Sequence, residues 1–121
     1  MNNQAQSIRP FIGAKDYAES RRFYRELGFE EIEVGAGLTL FRTERIAFYL
    51  QDAYVREWIE NTMVFVEVES VTAQWAALGE LDLEGKFAGV RLTPIRTEDW
   101  GWECFLHDPS GVLWHFGEFA K

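Results

Sequence analysis

Residues 11–29 read FIGAKDYAESRRFYRELGF, and this stretch holds a complete strand-to-helix unit. The run IRPFIGA (8–14) reads as a short strand. Asp16 then stands where a helix N-cap stands, with Glu19 three residues on, the spacing at which side chains satisfy the first free N–H groups of a helix. Tyr17, Phe23, Tyr24 and Leu27 recur at roughly helical spacing, and Gly28 follows as a left-handed C-cap glycine does.

Three short strands separated by turn residues come next: FEEIEV (29–34), GLTLFRT (37–43) and RIAFYL (45–50). The first module, about 8–50, is therefore β-α-β-β-β. Residues 51–62, QDAYVREWIENT, are polar with Tyr54, Trp58 and Ile59 interspersed, and read as a linker with a helical turn. Then the order repeats over about 63–119. MVFVEVE (63–69) is a strand. Ser70 caps the helix VTAQWAAL (71–78), which Gly79 closes. VRLTPIR (90–96), GWECFLHD (101–108) and GVLWHFGE (111–118) are three more strands. The DPSG turn at 108–111 has a mechanism, since Pro109 presets φ and Gly111 tolerates the strained end. The repeat rests on element order. It predicts an α+β fold of two βαβββ modules. The paired half-sheets would form a curved mixed sheet with helices on one face and a concave pocket on the other.

Bulk composition narrows the function classes. A chain of 121 residues, 47% apolar and 16% aromatic, suits a single domain, 1–121, with a sizeable core. No apolar run reaches the roughly 18–20 residues that span a bilayer, and Met1 to Ser7 is polar with no signal-peptide core. One cysteine makes no intramolecular disulfide, which fits a cytoplasmic location. A net charge of −8 disfavours nucleic acid. It either attracts a cationic ligand or serves solubility.

The opening segment FIGAKDYAESRRFYRELGF and the closing segment HDPSGVLWHFGE resemble the two ends of the vicinal oxygen chelate superfamily, which includes glyoxalase I, extradiol dioxygenases and bleomycin resistance proteins. NTMVFVEVESVTAQWAAL followed by WGWECFLHDPSGVLWHF is most similar to the bleomycin resistance proteins. The resemblance covers nearly the whole chain. It implies paired βαβββ modules and a homodimer. In the enzymes of the superfamily it also implies a divalent metal held by four inward side chains, which must be nitrogen or oxygen donors. The matching positions here are Arg9, Phe48, Met63 and His115. Only His115 is a usable donor, so no metal, no other cofactor and no catalytic residue is assigned.

Strand alternation supplies the other candidates. In LWHFGE, Leu113, His115 and Gly117 share one face and Trp114 and Phe116 the other, so His115 faces the concave side. There it either touches a ligand or is satisfied by a local hydrogen bond. Phe65 follows Met63, Leu50 follows Phe48, and Glu103 and Phe105 share a face opposite Trp102 and Cys104. Cys104 reads as core and His107 as a surface histidine at a turn. Trp100 and Trp102 flank Gly101 amid Glu98, Asp99 and Glu103, a setting that suits a planar cation. The resemblance matches Trp100 to a tryptophan that stacks on the planar rings of the antibiotic. It matches Leu38 to the partner subunit's aromatic in that sandwich, so half of the sandwich has lost its ring.

The expected function is a metal-free dimeric binding protein that sequesters a planar or cationic antibiotic-like small molecule in a groove between subunits. Its ligand-binding residues would be Leu38, Phe48, Met63, Phe65, Trp100, Trp102, Glu103, Phe105 and His115. The alternative is a divergent lyase, isomerase or dioxygenase-like enzyme acting through a set such as His115 and Glu103.

Overall fold

The structure, a computed structural model, describes residues 3–121. The polar reading of the N-terminus begins at Met1 and Asn2, which lie outside the described residues. The first module comprises β1 (Phe11–Gly13), α1 (Tyr17–Leu27), β2 (Glu30–Gly35), β3 (Leu38–Arg42) and β4 (Ala47–Gln51). A short helix, α2 (Arg56–Ile59), leads to the second: β5 (Met63–Glu67), α3 (Val71–Glu80), α4 (Leu83–Lys86), β6 (Arg91–Leu92), β7 (Arg96–Glu98), β8 (Gly101–His107) and β9 (Leu113–Phe119).

The two modules repeat one topology. The first sheet runs β1-β4-β3-β2 and the second β5-β9-β8-β6, with β7 also on β8. In each, the opening strand lies parallel to the closing one: Phe11 opposite Tyr49 in the first, Phe65 opposite His115 in the second. The other pairings are antiparallel. A parallel pair needs a crossover, and α1 and α3 supply it with the other strands of each module.

Local chemistry places the helices as their caps direct. The Asp16 side chain accepts from the Glu19 N–H, and the Ser70 side chain from the Ala73 N–H. Gly28 closes α1 at φ 111°. Three boundaries differ from expectation. β1 starts at Phe11 rather than Ile8, since Pro10 has no N–H to give the ladder. α3 passes through Gly79 to Glu80, and the left-handed residue lies further on, at Asp82 (φ 50°). The strand expected at 90–96 is broken into β6 and β7. Between them the Thr93 N–H donates to the Phe105 C=O of β8 and the Phe105 N–H donates to the Thr93 hydroxyl oxygen, and Pro94 cannot extend the pairing.

One core joins the modules on the helix side of both sheets. The Tyr24 ring of α1 packs against Phe48 of β4 at 4.8 Å and Trp114 of β9 at 5.7 Å between centroids. A buried polar chain runs through the same place. The Trp114 Nε1–H donates to the Tyr24 hydroxyl (3.0 Å), which donates to Asp108 Oδ2 (2.6 Å). Asp108 Oδ1 accepts from the backbone N–H groups of Ser110, Gly111 and Val112, which shapes the β8–β9 turn. Burial pushes the Asp108 carboxyl up while these bonds pull it down, and burial pushes the Tyr24 hydroxyl up. Among the described residues, no helix is long and apolar enough to cross a membrane.

Candidate ligand-binding site

The face of the second sheet turned away from the helices carries the site. Alternation sets it. On β9, Trp114 and Phe116 enter the core while His115 and Phe119 point the other way. On β8, Cys104 and Leu106 are fully buried, and Glu103 and Phe105 share the His115 face. On β5, Phe65 lies directly beside His115. Together Phe65, Trp100, Glu103, His115 and Phe119 line an open cup of about 420 Å³.

Its walls are aromatic. Trp100 meets Phe65 edge-on at 5.6 Å and lies 5.1 Å from Phe119. Its floor is Gly117, where a Cβ would come within 2.4 Å of Phe65 Cζ and 3.0 Å of Trp100 Cη2. A single polar pair interrupts the rings: His115 Nδ1 lies 2.9 Å from Glu103 Oε1. Glu103 is only 6% exposed, which is uncommon for a carboxylate unless it is partnered. The His115 ring is held edge-on by Phe105 at 4.9 Å, and the Arg96 guanidinium covers Phe105 at 5.6 Å. Arg96 also reaches Glu98 at 3.5 Å. A hydrogen bond with Glu103 raises the Glu98 carboxyl above the ordinary carboxylate range, with burial adding to it and Arg96 opposing.

Of the expected residues, the structure gathers Phe65, Trp100, Glu103 and His115 into the cup, with Phe105 behind His115. Met63 is on the same face of β5 but 65% exposed and not part of the lining. Trp102 is on the opposite face of β8, with Cys104, and is 38% exposed there. Phe48 does not face the cup. It is 2% exposed in the core against Tyr24, Phe41 and Trp114, and Leu50 is buried beside it. The outward positions of β4 are instead Ala47, Tyr49 and Gln51, so the reading of that strand was one residue out of phase, and a one-residue shift exchanges the faces. Leu38 belongs to the first sheet, opposite Gln51. Phe119 and Glu98 were missed. Phe119 was legible as the period-two continuation of His115, two alternations further along β9. Glu98 comes close only because β7 folds back on β8, with Glu98 opposite Gly101.

The four positions at which the resemblance places metal ligands do not fit a divalent cation. The Arg9 guanidinium donates to the Tyr49 hydroxyl at 3.1 Å, Phe48 is in the core, Met63 offers a soft thioether, and His115 is bonded to Glu103. A larger crevice of about 790 Å³ runs between the modules, past Arg9, Arg42, Phe48, Phe65 and Glu67. Phe65 borders both spaces.

These modules have the fold of solved bleomycin-binding proteins and of glyoxalase/bleomycin resistance protein/dioxygenase domains. The chain is similar to a bleomycin resistance determinant encoded on the transposon Tn5, at 15% identity and a TM-score of 0.80, over 97% of this chain and 100% of that one. It is similar to a bleomycin-binding protein from Streptomyces verticillus complexed with copper(II)-bleomycin, at 21% identity and 0.73, over 98% and 100%. A lactoylglutathione lyase from Agrobacterium tumefaciens also superposes, at 16% identity and 0.69, over 96% of each chain. No family model and no curated protein sequence matches the chain.

Proposed function

We propose that the chain is a small-molecule binding protein that holds a planar, cationic, antibiotic-like ligand in the aromatic cup and sequesters it without changing it. The observation that carries this reading is the cup itself: three aromatic side chains around a buried carboxylate bonded to a half-buried imidazole, in a chain of net charge −8. Flat rings stack on such walls, and the acidic field draws a cation towards them. The likeness to bleomycin-binding structures supports the same class of function.

The working form is proposed to be a cytoplasmic homodimer. The outward faces of the two sheets expose Phe11, Met63, Phe65 and Phe119, an apolar surface that a second copy would cover. One face bears Arg9 and the other Glu67 and Glu103, so pairing of unlike faces is favoured electrostatically. Leu38 would then lie near the partner subunit's cup, as the resemblance implies.

A second reading is favoured by one observation, the Glu103–His115 hydrogen bond, which is also how an acid–base histidine is oriented. Metal analysis and turnover assays of the purified protein separate the two. A stoichiometric divalent ion surviving dialysis, or product formed from a lyase or isomerase substrate, would favour the enzyme. For the binding reading, replacing Trp100 by Ala should weaken ligand affinity about tenfold or more while leaving circular dichroism unchanged.

A further inference from the structure

We infer that Glu103 holds the His115 ring in the tautomer protonated on Nδ1, so that the cup offers Nε2 as an acceptor and selects planar ligands that carry an N–H or O–H donor. The inference rests on the binding reading above and adds the polar chemistry of the ligand to it.

The geometry is that of a fixed imidazole. A carboxylate accepts and cannot donate, so the 2.9 Å contact between Glu103 Oε1 and His115 Nδ1 puts the proton on Nδ1. A neutral imidazole has one donor and one acceptor, and the hydrogen bond at one nitrogen decides the state of the other. The other is Nε2, which makes no hydrogen bond among the described residues. Phe105 at 4.9 Å and Phe65 at 6.2 Å hold the ring in place. The charged groups around the pair have other roles. Arg96 lies over Phe105 and pairs with Glu98 at 3.5 Å. Glu103 Oε1 is the carboxylate oxygen that faces His115. Asp99 follows Glu98 at the turn, and Glu67 of β5 lies opposite Gly117, and both add negative potential without a donor. The rest of the lining is Phe65, Trp100 and Phe119. A ring that enters the cup with an acceptor edge meets another acceptor, whereas one with a donor edge is paired. A mispaired polar group out of water costs more than a paired one gains.

The first test is a long-range nitrogen–proton correlation spectrum of the ligand-free protein at about pH 8, above the usual imidazole range. The expected result is His115 protonated on Nδ1 alone, and Glu103→Met should return the ring to a mixture with Nε2–H. The second test titrates indole and benzofuran, which differ only by N–H against O, and follows backbone amide shifts at Phe119 and Gly117. Indole should bind about threefold to tenfold tighter, and Glu103→Met should erase the preference. An Nε2–H or doubly protonated His115, or equal binding of the two bicycles by the wild-type protein, would overturn the inference even if the variant does not fold. Indole bound beside an Nε2–H tautomer would sink this inference alone. Binding of neither fragment at millimolar concentration would instead count against the cup as a ligand site.

Discussion

Gly117 gives the cup its depth. An added Cβ would collide with the far ends of the Phe65 and Trp100 rings, which can swing aside at small cost to the fold. Gly117→Ala should therefore leave the melting temperature nearly unchanged and weaken ligand binding about tenfold, read by paired thermal and equilibrium titrations. Gly101 behaves in the opposite way. A Cβ there would sit 2.0 Å from the Glu118 carbonyl oxygen, a backbone atom that cannot move aside. Gly101→Ala should cost about 2–3 kcal/mol, measured by urea unfolding. Cys104 is fully buried, and burial pushes its thiol up to about 11. It should resist iodoacetamide at neutral pH in the folded protein and react once unfolded, because the thiolate is the nucleophile. Rapid labelling of the native state would contradict this placement. At this scale the sequence was informative wherever alternation had an anchor. The bulky pair Trp114 and Phe116 set the phase of β9, and His115 followed. β4 lacked such an anchor, because Phe48, Tyr49 and Leu50 are all apolar enough for a core. Its phase was decided by Tyr24, 84 positions before Asp108 and 90 before Trp114, through packing that no local pattern records.

The elements are held together most firmly where α1 meets the β8–β9 turn. Tyr24→Phe would leave the Asp108 carboxylate and the Trp114 N–H each short of one buried partner. About 2–3 kcal/mol should be lost, with unchanged secondary structure by circular dichroism. A milder tie joins α1 to β2. Burial works to raise the Glu31 carboxyl, but hydrogen bonds from Arg21 (2.7 Å) and Arg25 (3.0 Å) outweigh it and hold the group below the ordinary carboxylate range. A lowered folded value means the contribution is present above the unfolded value of about 4.3 and fades as pH falls through the folded one. Glu31→Gln should thus cost about 0.5–1 kcal/mol at pH 7, allowing for solvent screening, and close to nothing at about pH 2–3. A cost independent of pH would contradict the ion-pair account. Caps and turns made these elements legible beforehand: Asp16, Gly28, Ser70 and the DPSG turn act as local chemistry predicts. The break between β6 and β7 was less so. It needs Thr93 bonded to Phe105, twelve residues away, and that fold-back is also what brings Glu98 to Glu103.

At the scale of the whole molecule, two modules of one topology share a core on their helix sides and turn their other faces outward. Element order alone made that repeat readable, although the halves share little sequence. The site was only partly readable, since it needs β5, β7, β8 and β9 in register and its Glu98 and Phe119 join from the margins of the strands. The exposed apolar surface predicts a dimer by sedimentation at micromolar concentration, and high salt should weaken it if unlike charges help to pair the faces. The most direct measurement is an equilibrium titration, followed by intrinsic tryptophan fluorescence, of the wild-type and Trp100→Ala proteins with bleomycin-class and other planar cationic antibiotics. The account predicts saturable quenching of the wild type at about micromolar concentration for at least one compound, and an affinity at least about tenfold lower without Trp100. No quenching by any of them, or equal affinity in the two proteins, would contradict it.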